Sequence, residues 1–164
     1  MFSKDEIRLA VLATFVDTAS LHSSKTQERD TNWVMQMIQK YHFSYNQLYQ
    51  DGLCLTKVDS PNSALLHGLK KYTFVDHKIA SSYIQIAKKE QLASQLPDII
   101  SRMQEYVKEK QLSLFIFLLH DMTKFRSSVF YITNQTISCK DFDHYVSRGS
   151  EIMPSIEKKF IKKK

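Results

Sequence analysis

Glycine, proline and cysteine are all scarce in this sequence of 164 residues. It contains three Gly and three Pro, and neither a G-x-G-x-x-G nor a G-x-x-x-x-G-K segment. These absences exclude collagen-like and low-complexity chains, and proteins that bind nucleotides through a glycine-rich loop. The two cysteines, Cys54 and Cys139, are too few for a disulfide framework or a zinc pattern. We therefore interpret them as small core residues, and we expect the protein to reside in a reducing compartment.

Long hydrophobic runs are absent as well. The longest apolar run, Leu112–Leu119, has eight residues including one Ser, and the first six residues already include Asp5 and Glu6. A membrane span needs about 20 apolar residues, and a signal peptide needs an apolar core. Hydrophobic residues make up 43% of the chain, with ten Phe and eight Tyr, which is enough for a sizeable core. We expect a soluble, cytoplasmic protein without a membrane segment.

The charge balance suggests a polyanionic partner. Lys and Arg number 23 against 17 acidic residues, for a net charge of +6. Such a balance suits nucleic acid, anionic lipid or phosphate-rich substrates. No nucleic-acid-binding motif accompanies it, which argues against nucleic acid. Much of the excess lies in Lys158, Lys159 and Lys162–Lys164. We interpret this segment as a solvated helix end, with a phosphate-attracting role or a targeting role as the alternatives.

The first third of the chain predicts three helices. Apolar residues nearly encircle a helix over Asp5–Val16, so we expect this helix to be buried on most sides. A second helix is predicted over Asn32–Tyr41, with Asp30 or Thr31 as its N-cap. A third runs from Ser44 to about Gln50, followed by Gly52 as a left-handed C-terminal residue.

The remainder predicts strands mixed with helices. Ser60-Pro61 is a strong start signal for a short helix that ends near Gly68. From there the order ββαβββα predicts an α/β fold with a mixed sheet. The predicted elements are a hairpin of Tyr72–Phe74 and Lys78–Ile86, a helix over Glu90–Glu109 with Pro97 in a fresh first turn, an interior strand Leu112–Leu119, strands Ser127–Ile132 and Thr136–Ser138, and a helix from Ile152.

Several charged residues are candidates for chemistry. Asp17 places a carboxylate at the end of an apolar helix, where it is either a metal ligand or a polar residue that points to water. Lys70 and Lys71 lie just before the first predicted strand and Arg148 just before the last helix. The three could converge as a phosphate clamp, although in a basic protein such a convergence also arises by chance. Asp141–His144 has metal-ligand spacing but is typical of a polar turn.

Taken in chain order, several segments resemble the second half of the DHH phosphoesterases. The branch concerned contains the manganese-dependent (family II) inorganic pyrophosphatases, the exopolyphosphatases and the Prune proteins. In that branch an apolar helix ends in Asp-Thr, a Lys-x-(F/Y) motif opens a second domain, and a Ser-Arg pair precedes Pro near the end. The matching segments here are Leu12–Thr18, Lys25–Asp30, Lys70–Phe74, Lys78–Ser82, and Val146–Arg148 with Pro154.

This resemblance implies both an architecture and a site. Residues 1–54 would be a helical remnant of the catalytic domain, and residues 55–164 the associated α/β domain with a mixed sheet and flanking helices. The resemblance makes Asp17 a ligand of Mn or Mg, and makes Lys70 and Arg148, with Ser147, the residues that hold the phosphate of pyrophosphate or polyphosphate. The implied reaction is hydrolysis of a phosphoanhydride with two metal ions.

The chain also departs from the family pattern. It lacks the Asp-His-His motif, has Gly149-Ser150-Glu151 where the family has Lys-Lys-Gln, and has Gly68 in place of an Asp. We therefore expect the chain alone to be inactive, because one carboxylate cannot hold two metal ions. The alternative is a non-catalytic, Prune-like interaction protein or polyphosphate-binding protein. The apolar first helix further predicts a homo- or hetero-oligomer.

Overall fold

The computed structural model describes residues 2–53, 55–87 and 89–161. Cys54 and the lysines at 162–164 therefore lie outside the described residues. The chain divides into two compact units, Met1–Cys54 and Leu55–Lys164. The helices and strands are α1 Lys4–Thr18, α2 Glu28–Tyr41, α3 Tyr45–Gly52, α4 Pro61–Leu66, β1 Lys70–Phe74, β2 His77–Ile86, α5 Leu96–Glu109, β3 Leu114–Asp121, β4 Arg126–Ile132, β5 Ile137–Phe142 and α6 Met153–Ile161.

The first unit is helical, as predicted. Ser3 and Glu6 cap α1 reciprocally, because the Glu6 N–H donates to Ser3 Oγ at 3.2 Å and the Ser3 N–H donates to Glu6 Oε2 at 2.7 Å. The expectation that α1 is buried on most sides is wrong within this chain. It buries Val11, Phe15 and Thr18, whereas its other apolar side chains include the exposed Leu9 and Val16.

Two predicted helix boundaries in this unit are also wrong. Helix α2 begins at Glu28, before the predicted start, because Asp30 is a first-turn residue whose Oδ2 accepts from the Gln27 N–H at 3.0 Å. Gly52 lies inside α3 and has no positive φ. A Cβ there would lie 3.0 Å from Phe15 Cβ, so Gly52 is needed for the close approach of α3 to α1.

The second unit confirms the α/β fold with a mixed sheet. Its five strands lie in chain order, with β2 and β3 parallel and the other neighbours antiparallel. Every residue of β3 is buried, as expected of an interior strand. The predicted start at Ser60-Pro61 is confirmed, since the Ser63 N–H donates to Ser60 Oγ at 3.1 Å.

Three predicted elements of this unit differ from the structure. The long helix over Glu90–Glu109 is a 3₁₀ turn, Lys89–Leu92, followed by α5, in whose first turn Pro97 lies as predicted. Strand β5 is longer than expected and extends to Phe142. A π-helical turn over Arg148–Ile152 precedes α6.

Different helices pack against the two faces of the sheet. The face that carries Ala80 and Phe117 packs against α4 and α5, and we call it the α5 face. The face that carries Ile79, Ile116 and Val129 packs against α6, and we call it the α6 face. Within the described residues, no helix has both the length and the apolar character that a membrane crossing requires.

Candidate functional site

The side chain of Arg148 lies on the α6 face, at the edge formed by β1 and β2. Its Nη1 donates to the Gly68 carbonyl oxygen at 2.5 Å and lies 3.4 Å from both the carbonyl oxygen and Oγ of Ser81. The guanidinium carbon lies 5.3 Å from the ring centroid of Tyr83, within the range of a cation–π interaction. Backbone oxygens and an aromatic ring thus hold this cation in one place.

The structure brings Lys70 to the same face and edge as Arg148. Lys70 lies directly opposite Ser81 in the antiparallel β1–β2 pair, and residues directly opposite each other share a face. Because Arg148 contacts Ser81 Oγ, Lys70 and Arg148 both lie beside Ser81. Lys71 lies opposite Ala80, which belongs to the α5 face, so Lys71 is separated from this pair.

Gly68 allows the close approach that positions Arg148. It has a positive φ of 58°, a conformation that other residues adopt at a cost. A Cβ at this position would lie 2.3 Å from Cε1 of Tyr83, the ring that Arg148 covers. A side chain at residue 68 would therefore displace the ring and, with it, one wall of the Arg148 site.

A buried polar network anchors the segment that leads into Arg148. The ring of Tyr145 stacks on His120 with centroids 4.2 Å apart, and its hydroxyl accepts from Gln85 Nε2 at 3.0 Å. The next residue, Val146, donates its N–H to Ser127 Oγ at 2.9 Å. Three strands therefore hold this segment, and Arg148 is pre-organised before any ligand binds.

His120 lies at the centre of that network. It is 2% exposed, and its Nδ1 lies 2.9 Å from Ser127 Oγ. Burial, and secondarily the charge of Arg148, lowers the pKa of His120 to about 3. The imidazole is therefore neutral near pH 7 and carries no charge of its own. The sequence analysis did not single out His120, although His120 continues the alternation of Ile116 and Leu118 on the α6 face.

Ser147 supports the turn that begins at Arg148. Its Oγ accepts from the Ser150 N–H at 3.3 Å, and its own N–H donates to Glu151 Oε1 at 2.8 Å. Glu151 Oε2 also lies 2.9 Å from His144 Nε2, and this contact is the largest cause of a raised His144 pKa. The serine hydroxyl is thus engaged in capping the turn.

Within the described part of each unit, the candidate metal ligands join no cluster of metal-binding side chains. Asp17 is exposed on α1. Asp141 bonds to Lys89 and Ser128 on the α5 face, whereas His144 contacts Asp143 and Glu151. No group of three or more His, Cys, Asp or Glu residues is placed to hold a metal ion in the described part of the chain. These donors do not fit a two-metal centre.

Comparison with known proteins reveals a similar fold. No protein-family model matches the chain, and no curated protein matches it. Among solved structures, the chain is similar to a Methanococcus jannaschii protein assigned to the family II inorganic pyrophosphatases, with a TM-score of 0.82 and 17% identity. The similarity covers 98% of this chain and 57% of that one, so the chain spans little more than half the length of that protein. The chain thus shares the α/β fold of this pyrophosphatase: a five-stranded mixed sheet flanked by helices.

Proposed function

We propose that this chain supplies the phosphate-binding part of a pyrophosphate or polyphosphate hydrolase. The observation that carries the proposal is the placement of Lys70 and Arg148 beside Ser81, on one face and one edge of the sheet. The fold shared with a family II pyrophosphatase supports the same substrate class. In this proposal the chain is related to the DHH phosphoesterases, on their exopolyphosphatase and Prune side.

The two cations have different roles in this proposal. A guanidinium has five N–H donors in a planar fork that matches phosphate oxygens. Toward described residues Arg148 donates only through Nη1, and it would present its other donors to a phosphoryl group. Lys70 is exposed and would add a mobile point charge beside it. Ser147 would act by holding the turn that begins at Arg148, because its hydroxyl already accepts a backbone hydrogen bond.

For the metal ions, the proposal assigns a single ligand in this chain. Asp17 is the candidate ligand for Mn or Mg, the ions that stabilise developing charge in phosphoanhydride hydrolysis. A single exposed carboxylate does not hold two ions. We therefore expect the purified chain to bind pyrophosphate without hydrolysing it above background.

Isothermal titration calorimetry with pyrophosphate, compared with a phosphate-release assay in Mn²⁺, tests this proposal. Saturable binding that Arg148→Ala and Lys70→Ala each weaken supports it. Lys71→Ala is the matched control, because this neighbouring lysine lies on the α5 face. Equal losses in all three variants would contradict the assignment, and robust phosphate release would contradict the predicted inactivity.

One observation favours a second function, that of a non-catalytic interaction protein. Leu9 is 65% exposed and Val16 is 47% exposed, and the two are seven residues apart on α1. Residues at this spacing lie on one side of a helix, so they form an apolar surface suited to another subunit. Light scattering coupled to size-exclusion chromatography should find an oligomer that a Leu9→Ser and Val16→Ser double variant dissociates. A monomeric parent protein would rule out self-association through this surface.

A further inference from the structure

The α6 face of the sheet is only partly covered. Helix α6 contacts β1, and its Phe160 ring lies 4.2 Å from the His77 ring at the start of β2. Beside α6, over β4 and β5, lies a groove of about 1160 Å³. Its apolar lining includes the half-buried Tyr131, Phe142 and Phe160 and, beneath them, the buried Leu114, Ile152 and Ile156.

The rim of this groove is basic. Lys140 on β5 and Lys158 and Lys159 on α6 line it, and the Lys140 ammonium lies 4.7 Å from the Phe142 ring centroid. Among the described residues that line the groove, Glu151 is the one acid, and it contacts Ser147 and His144. The groove therefore presents an apolar floor and an excess of positive charge, which a partner with acidic and apolar side chains would complement.

The architecture around the groove favours a helix as the occupant. Helices normally cover the faces of sheets in α/β proteins, and α6 covers only part of this face. A lysine on an edge strand, such as Lys140, disfavours the addition of a further strand at β5. The nine residues of α6 correspond to roughly 14 Å of helix, so a parallel helix of similar length would place three or four apolar side chains in the groove.

We propose that the groove between β5 and α6 binds an acidic amphipathic helix of a partner protein, with Lys140 and Lys158 contacting its acidic side chains. This surface is lined by residues other than Lys70 and Arg148, and the proposal does not rest on the phosphate-binding function.

A fluorescein-labelled synthetic peptide is the probe. It has 14 residues, with Leu at positions i, i+3, i+4, i+7 and i+8 and Glu or Asp elsewhere, and its binding to the full chain is measured by fluorescence anisotropy. We expect Lys140→Glu with Lys158→Glu to weaken binding about tenfold, because each reversal replaces an attraction by a repulsion. Lys108→Glu is the matched control, since Lys108 is an exposed lysine of α5, outside the groove.

Control probes separate the proposed occupant from others. A peptide with Lys in place of its acids, and one with a central Pro that breaks the helix, should both bind weakly. Amide chemical shifts of the ¹⁵N-labelled chain should change around Tyr131, Phe142 and Ile156. Binding that Lys108→Glu weakens as much as the double variant, shifts elsewhere, or no saturable binding would overturn the proposal. Retention on phosphatidylserine vesicles without peptide binding would overturn it in favour of a membrane surface.

Discussion

The regions around Arg148 and Asp17 differ in how firmly the fold holds the residue. Backbone carbonyls, the Tyr83 ring and a network anchored on three strands surround Arg148. Asp17 is exposed on α1, and among the described residues it joins no cluster of metal-ligating groups. A positioned cation can bind an anion at little entropic cost, whereas an isolated carboxylate needs further ligands. The fold therefore fixes the position of Arg148 more firmly than that of Asp17.

The largest effect expected in the Arg148 region is a pH dependence of the free energy of unfolding that results from the burial of His120. The folded-state pKa of about 3 lies below the ordinary 6.5, so the unfolded chain binds more protons as the pH falls between these values. The stability that this group contributes is therefore complete above pH 6.5 and is lost progressively as the pH falls toward 3. Urea unfolding of the wild type from pH 7 to 4 should show this loss.

The matched variant for this test is His120→Phe, which keeps a ring against Tyr145 and cannot titrate. At pH 7 the free energy of unfolding of this variant should be lower than that of the wild type, because the hydrogen bond between His120 and Ser127 is lost. The difference from the wild type should shrink or reverse as the pH falls. His144, whose pKa is raised, changes the stability with pH in the opposite direction. Because His144 is present in both proteins, its contribution cancels in the comparison. Parallel pH curves would refute the buried, neutral assignment of His120.

The second test disturbs the Arg148 site through Gly68, whose carbonyl oxygen accepts a hydrogen bond from Arg148. Gly68→Ala should lower the free energy of unfolding by about 1–2 kcal/mol, because a side chain at positive φ is strained and its Cβ meets the Tyr83 ring. Pyrophosphate affinity should fall as the ring moves from beneath Arg148. Gly149→Ala is the control, since a Cβ there has no neighbour within 4 Å. Equal stability of the two variants would mean that the loop at residue 68 relaxes freely.

The third test separates the geometry of Arg148 from its charge. Arg148→Lys keeps the charge but loses the planar fork and the packing on Tyr83, so pyrophosphate affinity should fall about tenfold. Arg102→Lys is the matched control, because Arg102 lies on α5 and contacts Glu105 and Glu109. Calorimetric titration measures both variants. Unchanged affinity in Arg148→Lys would reduce the role of residue 148 to nonspecific attraction.

The smallest effect is expected at Asp17. An acidic side chain in the last turn of a helix opposes the helix dipole, so Asp17→Ala should leave stability unchanged or raise it by up to about 0.5 kcal/mol. Asp51→Ala is the contrasting variant, because Asp51 accepts from Arg8 and Gln47 and its loss should destabilise the chain. Urea unfolding compares them. A large destabilisation by Asp17→Ala would mean that the carboxylate has a structural partner.

Local signals in the sequence predicted much of the fold. The Ser60-Pro61 cap, the hairpin around Asp76 and the continuous apolar run of β3 each depend on neighbouring residues, and the structure confirms all three. Gly52 was misjudged because its role depends on Phe15, a tertiary neighbour from another helix.

Local sequence patterns did not identify the residues that support the candidate site. Lys70 and Arg148 were identified from their positions along the chain and by resemblance. The network that positions Arg148, however, joins β2, β3, β4 and the segment before Arg148. Its members are Gln85, His120, Ser127 and Tyr145. No local sequence pattern marks them. The strand register places Gln85, His120 and Ser127 side by side, and Tyr145 joins them from the segment before Arg148.

The parallel pairing of β2 with β3 has a consequence for how the second unit folds. Each of the other strand pairs joins consecutive strands through a short turn, whereas Ile79 pairs with Leu114 across a crossover that contains α5. Closing that long loop costs more chain entropy than closing a hairpin does, so hairpins can form early and the central pair forms later. Docking of α5 onto the sheet and pairing of β2 with β3 are thus expected to be one cooperative, rate-limiting event.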